Sequence, residues 1–149
     1  LLGASEASLY PVIYSVLFLV GSHKERSRAT SLIRHYLSII ISKIAYNALD
    51  DKKGVNITII DISEISIIAD YFIIAGGTNE NQVKALAGNV EDEFERPVFS
   101  KTRRGYTNAN WILIDYEDVI VHVFNEDDRL FYDLERIWRD GKIVNVEEL

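Results

Sequence analysis

Apolar residues recur along this chain with two different spacings, which predict a domain that combines helices and strands. From residue 37 to residue 52 they return every three or four positions, as on one face of an amphipathic helix, and Gly54 is well suited to end it. Residues 55–61 and 71–75 are short runs rich in β-branched and aromatic side chains, which favour strands. The pattern therefore predicts one long helix followed by two strands.

A second helix is predicted over residues 79–95. Thr78 or Asn79 can cap its first turn, because each offers a side-chain oxygen to backbone N–H groups that lack partners within the helix. Residues 98–100 suit a short strand, and residues 101–110 are predicted to form a polar loop.

Residues 111–124 contain two apolar, β-branched runs that flank the tripeptide Tyr116-Glu117-Asp118, a pattern that predicts a β-hairpin. Both runs are nearly continuous in apolar residues, which favours strands covered on both faces of a sheet. The hairpin also carries a large aromatic side chain, two carboxylates and an imidazole, which are candidates for function: Trp111, Asp115, Asp118 and His122.

The last predicted element is an amphipathic helix that begins at residue 125 or 126 and ends at residue 139. Its spacing predicts that it buries Leu130, Phe131, Leu134 and Ile137. Gly141 ends it, and residues 141–149 are expected to be a polar tail. From residue 37 the predicted order is α-β-β-α-β-β-β-α, which indicates an α/β domain with a mixed sheet flanked by helices.

Residues 1–38 differ in character from the domain predicted over residues 39–140. Residues 9–20 are a mostly apolar run that is too short to cross a bilayer, which takes about 20 residues. A segment packed on the domain or on a partner, a membrane-associated or targeting segment, and a fused segment are all open interpretations of it. The basic segment 23–34 is more typical of a solvated linker or helix face than of a nucleic-acid site.

Charge is spread unevenly along the chain. Residues 1–38 carry a net charge of +2 and residues 39–149 a net charge of −9, which together give −7. An acidic body is unsuited to contact with a phosphate backbone, so we expect no direct DNA binding, and it favours a basic protein partner. The absence of cysteine excludes disulfides and thiolate chemistry and fits a reducing compartment, so the expected location is cytoplasmic.

One enzymatic interpretation starts from Gly76-Gly77, between a predicted strand and a predicted helix, where backbone N–H groups could cradle a phosphate. Nucleotidyl transferases follow such glycines with paired carboxylates that hold Mg²⁺. Here Asp115 and Asp118 come about 40 residues later and flank a turn. A tight turn and a helix cap explain the glycines better, and a nucleotide-binding or nucleotidyl-transferring enzyme is the alternative.

The hairpin side chains also invite a metal or acid–base interpretation. Two aspartates on either side of a turn do not share one strand face, and the single histidine, His122, has no second histidine at metal-binding spacing. A hydrogen-bonded sheet histidine and two solvated aspartates are the simpler interpretation. Trp111 fits both a core position and the anchor of a protein interface.

The order of several short motifs adds information that composition does not give. The first set is Asp61-Ile-Ser, then Ala69-Asp70-Tyr71-Phe72-Ile-Ile-Ala-Gly76-Gly77-Thr78-Asn79, then Gln82-Val83. The second set is residues 111–124 followed by Arg129-Leu-Phe-Tyr132-Asp-Leu134-Glu135-Arg-Ile-Trp138. Over about residues 39–140 this succession resembles the Iojap family, the ribosomal silencing factors.

The resemblance implies a nucleotidyltransferase-like α/β fold without the catalytic carboxylates, and hence a protein that is not an enzyme and holds no cofactor or metal. It implies binding to one ribosomal protein of the large subunit, which sterically blocks joining of the small subunit and represses translation when nutrients are scarce. Organellar relatives assist assembly of the large subunit. The contact is implied on the hairpin and its neighbours: Trp111 as anchor, Asp115 and Asp118 as partners for Arg or Lys, Tyr132 and Glu135 beside them, and Asp70 and Tyr71 in a contacting or structural role.

Two residues depart from the family pattern. Glu117 stands where the family has glycine, and a positive φ there would cost on the order of 1 kcal/mol or more. Arg104 stands where the family favours an acidic residue, which would weaken attraction to a basic partner. A third interpretation is a homodimer in which the exposed hairpin faces pair about a two-fold axis.

Overall fold

The computed structural model describes residues 23–94, 102–104 and 110–149, without the side chains of residues 23–27, 29 and 102–104. Helix and strand bounds, in chain order, are α1 (His23–Asp51), β1 (Val55–Asp61), β2 (Tyr71–Gly77), α2 (Glu80–Glu93), β3 (Thr102–Arg104), β4 (Trp111–Asp115), β5 (Val119–Asn125), α3 (Glu126–Tyr132), α4 (Leu134–Ile137) and β6 (Lys142–Val144). A 3₁₀ turn follows at Val146–Glu148.

The strands form a single mixed sheet in the order β3-β4-β5-β2-β1-β6. Strands β2 and β5 at its centre run parallel, and the other neighbouring pairs run antiparallel. Every residue of β2 is buried, and so is every residue of β5 except Asn125. This confirms the predicted α/β fold and the predicted hairpin, whose two strands are β4 and β5.

Helices α1 and α2 cover one face of the sheet. Their apolar stripes, which include Leu49 and Leu86, pack with Ile73 and the other side chains on that face into the larger of two cores. The opposite face has a smaller core around Phe72, Ile74 and Phe124. Among the described residues, the short segment that contains α3 and α4 lies over this second face, together with Ile62 and Ala69 of the β1–β2 connection. The elements that cover this face are therefore shorter than those on the first face.

The prediction of one C-terminal helix that buries four apolar residues is wrong. The helix breaks at Asp133, which adopts the left-handed conformation with φ 47°, so α3 and α4 are separate short helices. Leu130 and Phe131 are each 80% exposed and Ile137 is 66% exposed, whereas Leu134 packs on the second core. Residues 130–132 are three successive apolar residues, and because each helical residue is rotated by 100° from the last, they cannot all face the sheet.

Three further elements differ from the expectations. Helix α1 begins at residue 23 instead of 37, so the basic segment is helical. Residues 142–144, expected in a polar tail, form β6 and pair with β1. Residues 102–104, expected in a loop, form β3. The predicted strand over residues 98–100 lies outside the described residues. Among the residues that the structure describes, no helix is long and apolar enough to cross a membrane.

The turn between β4 and β5 places Glu117 at φ 69°, in the left-handed region. The carboxylate of Asp115 accepts a hydrogen bond of 2.7 Å from the backbone N–H of Glu117, which helps to hold this turn. The turn therefore has the positive φ that glycine tolerates and that a residue with a Cβ adopts at a cost.

We expect Glu117→Gly to raise the free energy of unfolding by about 0.5–1 kcal/mol. Relief of the left-handed conformation contributes about 1–2 kcal/mol, and the added flexibility of the unfolded chain offsets part of it. Urea unfolding measures the change. Glu117→Ala is the matched control, because it removes the same charge but keeps the Cβ; equal gains from both substitutions would contradict the backbone explanation.

Candidate functional site

The N-terminus of α2, where a phosphate could bind, is occupied by side chains of the protein itself. Asn79 caps the helix, as predicted, and accepts a hydrogen bond from the backbone N–H of Gln82 at 2.9 Å. The amide oxygen of Gln82 accepts hydrogen bonds from the N–H and the hydroxyl of Thr78 at 2.7 and 2.8 Å. Its amide nitrogen donates to the carbonyl of Lys53 at 3.0 Å.

Close packing explains the second glycine that precedes this helix. A Cβ on Gly77 would lie 2.7 Å from a methyl carbon of Val83, which is on the first turns of α2. Glycine therefore lets α2 lie against the end of β2. The helix cap and this contact together give Gly77 and the residues after it a structural explanation.

The two hairpin aspartates do not converge on a common point. Asp115 is bonded to the turn N–H of Glu117, whereas Asp118 forms an ion pair with Arg34, whose Nη2 lies 3.1 Å from its Oδ1. Within the described part of the chain, no group of three or more histidine, aspartate or glutamate side chains is placed to hold a metal ion.

His122 lies on the second face of the sheet and is buried. Its Nδ1 accepts a hydrogen bond of 3.1 Å from the indole N–H of Trp111, so the neutral ring carries its proton on Nε2. Phe72 packs against the ring edge at 4.9 Å between centroids. Burial lowers the pKa of His122 from 6.5 to about 4, because the charged form would lose its hydration.

Trp111 is half-buried, so one part of the indole faces solvent. The ring stacks on Phe124 at 4.8 Å between centroids and contacts Tyr132 at 4.9 Å. Tyr132 in turn meets Phe131 edge-to-face at 5.2 Å. The indole thus packs on the core through Phe124 and contacts the side chains of α3 through Tyr132.

We call Trp111, Leu130, Phe131 and Tyr132 the α3 surface. Sequence reasoning selected Trp111 and Tyr132 and missed Leu130 and Phe131, which it assigned to the core. The run of three consecutive apolar residues in so short a helix was the available signal. Adjacent exposed apolar and aromatic side chains are typical of protein-binding surfaces.

Glu135 has a structural partner. Its Oε1 accepts a hydrogen bond of 2.8 Å from Nε of Arg129 and forms an ion pair of 2.8 Å with Nη2 of the same side chain. The guanidinium of Arg129 also donates to the carbonyls of Val55 and Asn56 at 2.8 and 2.6 Å. This network attaches the α3–α4 segment to the start of β1. Glu135 therefore helps to hold the α3 surface in place.

Asp70 and Tyr71 lie at the opposite end of the hairpin strands from Trp111. The backbone N–H of Asp70 donates to the carbonyl of Asp118 at 2.7 Å, and its carboxylate accepts a hydrogen bond of 3.1 Å from the Ser38 hydroxyl. Tyr71 is buried in the larger core. Its pKa is raised, first by burial and then by the charges of Asp61 and Asp70.

The candidate residues thus form two groups on one sheet. Trp111 and Tyr132 belong to the α3 surface, with Glu135 supporting it, and Asp115, Asp118 and Asp70 surround the hairpin turn. The length of β4 separates the groups by roughly 13 Å, given about 3.3 Å per residue in a strand. An exposed apolar group and a separate acidic group suit a small α/β protein that binds another macromolecule.

The chain belongs to the family of ribosomal silencing factors. The family model described as "Ribosomal silencing factor during starvation" matches residues 38–149. Ribosomal silencing factor RsfS of Bacillus subtilis is 40% identical over 108 residues, which are 72% of this chain and 92% of that protein. The family resemblance found in the sequence is thereby confirmed.

A solved structure and a plant protein extend the comparison. The crystal structure of a protein from Chromobacterium violaceum superimposes with a TM-score of 0.64 at 35% identity and covers 70% of this chain and 88% of that one. The chloroplast protein Iojap of maize is 32% identical over 100 residues, 66% of this chain and 43% of its own length. The family consists of silencing factors rather than enzymes, so the chain is not an enzyme.

The depressed pKa of His122 predicts a loss of stability in mild acid. Below pH 6.5 the unfolded chain binds a proton at this residue, and the folded protein does not until about pH 4. We therefore expect the free energy of unfolding to fall by about 2 kcal/mol on account of His122 as the pH is lowered from 7 to 5.

His122→Gln, which keeps a hydrogen-bond acceptor for the Trp111 N–H, should lack this component. The measurement is urea unfolding of both proteins at several pH values from 7 to 5. Curves of unfolding free energy that run parallel over this range would contradict the prediction.

Proposed function

We propose that this protein binds the large ribosomal subunit through a basic ribosomal protein and that, once bound, it sterically blocks joining of the small subunit. Translation is thereby repressed under nutrient limitation. Membership of the silencing-factor family supports the class of function, and the α3 surface is the observation that carries the proposed mode of binding.

The α3 surface has the composition of an interface anchor. Phe131 is exposed while Trp111 is only half-buried, and the two are linked through Tyr132 by ring contacts of 5.2 and 4.9 Å. Trp111 packs on the second core and so loses little conformational entropy on binding, and exposed aromatic side chains often dominate binding energy. We propose Trp111 and Phe131 as the anchors.

Negative charge around the hairpin favours a basic partner. Residues 39–149 carry a net charge of −9, and Asp115 and Asp118 lie at the turn of the hairpin whose other end carries Trp111. Complementary fields of this kind speed association and select against acidic partners. We propose that these two aspartates meet Arg or Lys of the ribosomal protein, with Tyr132, Glu135 and Asp70 beside the contact and buried Tyr71 supporting it.

The direct test is sedimentation of the protein with purified large subunits at physiological salt, followed by addition of small subunits. We expect the protein to sediment with large subunits and to reduce the amount of joined ribosomes. A protein that stays in the supernatant, or that instead forms a homodimer through the α3 surface in light scattering, would contradict the proposal. We propose a cytoplasmic location, which the absence of cysteine fits.

Phe131→Ala should weaken binding to large subunits by about 1 kcal/mol or more while leaving the free energy of unfolding nearly unchanged, because the side chain is 80% exposed.

Trp111→Ala should weaken binding by roughly 1–4 kcal/mol and also destabilise the fold, since its ring contacts the second core. Binding titrations and urea unfolding measure the two effects.

The matched control is Ile143→Ala. Ile143 is 71% exposed but lies on β6, at the edge of the sheet remote from β4. It should bind large subunits as the wild type does. Equal losses from Phe131→Ala and Ile143→Ala would indicate that exposed apolar area in general, and not the α3 surface, governs the interaction.

A further inference from the structure

Helix α1 extends beyond the part of the chain that the family model matches. The match begins at residue 38, whereas α1 begins at residue 23 and is one continuous helix to residue 51. The additional turns, residues 23–37, are basic, and the domain that follows them is acidic. The last of these turns lies beside the start of β2 and the hairpin turn, as the contacts of Arg34 and His35 show.

Arg34, in these additional turns, forms an ion pair with Asp118 in the hairpin turn. Its guanidinium approaches both carboxylate oxygens of Asp118, with Nη2 at 3.1 and 3.3 Å and Nε at 3.4 Å. At the next residue of α1, His35 Nδ1 lies 3.6 Å from the carboxylate of Asp70, which also accepts a hydrogen bond from the Ser38 hydroxyl. Two of the acidic residues that the proposed function offers to a basic partner are therefore already engaged from within the chain.

We propose that residues 23–37 act as a built-in competitor for the acidic part of the binding surface. The guanidinium of Arg34 occupies Asp118 in the free protein, and a basic residue of the ribosomal protein has to displace it. This inference rests on the proposed function and concerns the regulation of the same site.

The exposure of the pair makes such an exchange feasible. The Arg34 side chain is 53% exposed and that of Asp118 is 29% exposed, so water can solvate both groups as the pair opens. Ion pairs in such positions are weak, since solvent screens them and holding two side chains in one geometry costs entropy. The contact can thus lower the affinity for a partner without preventing binding.

The test compares Arg34→Ala with Arg28→Ala in binding titrations against purified large subunits. Both substitutions remove one positive charge from an exposed position of α1 outside the family match, and alanine preserves the helix. We expect Arg34→Ala to bind about two- to fivefold more tightly at low salt, with a smaller gain at high salt, and Arg28→Ala to bind as the wild type does.

A double-mutant cycle identifies the carboxylate involved. Asp118→Asn alone should weaken binding, and Arg34→Ala should give no gain in the Asp118→Asn background. Three results would each contradict the competitor: equal affinities of Arg34→Ala and Arg28→Ala, weaker binding by Arg34→Ala, or unchanged binding by Asp118→Asn. In each case the proposed function would still stand if Phe131→Ala loses affinity. Absence of binding by the wild type would overturn both proposals.

Discussion

The structure depends on the parallel pairing of β2 with β5 at the centre of the sheet. Seven residue pairs, from Tyr71 opposite Val119 to Gly77 opposite Asn125, hold these strands together. Parallel strands require cover on both faces, because their side chains are apolar in both directions. That requirement explains why β2 and β5 read as continuous apolar runs and why the protein has a core on each side of the sheet.

The two faces meet this requirement unequally. Two long helices seal one face, and a segment of two short helices, seven and four residues long, lies over the other. So short a segment buries Leu134 against the sheet but leaves Leu130 and Phe131 in water. In the described part of the chain, the apolar surface proposed for binding thus results from the short elements that cover the second face, and a partner that docked there would extend an existing core.

Local patterns in the sequence predicted what depends on near neighbours. Strands β1 and β2, the hairpin of β4 and β5, and the Asn79 cap follow from periodicity and from side chains within four positions of each other. Glu117 was recognised as a residue with unfavourable φ only through the family's glycine. The helical period excludes that residues 130–132 all face the sheet, but the exposure of Phe131 in particular depends on what lies beneath α3. The pairing of Arg34 with Asp118 joins residues 84 positions apart, beyond the reach of any local rule.

Arg129 gives the α3–α4 segment an unusual kind of attachment. Besides the side chains of Glu135 and Thr58, its guanidinium binds two main-chain oxygens, those of residues 55 and 56, at a point where β1 is irregular and Asn56 has φ 47°. Every amino acid has the same backbone carbonyl, so residues 55 and 56 can change side chain without loss of these hydrogen bonds if the local backbone path stays the same. Arg129 cannot be replaced in this way, because lysine lacks the planar guanidinium that reaches two carbonyls and Glu135 together. Substitutions at residues 55 and 56 can therefore accumulate while Arg129 keeps α3 in the same position.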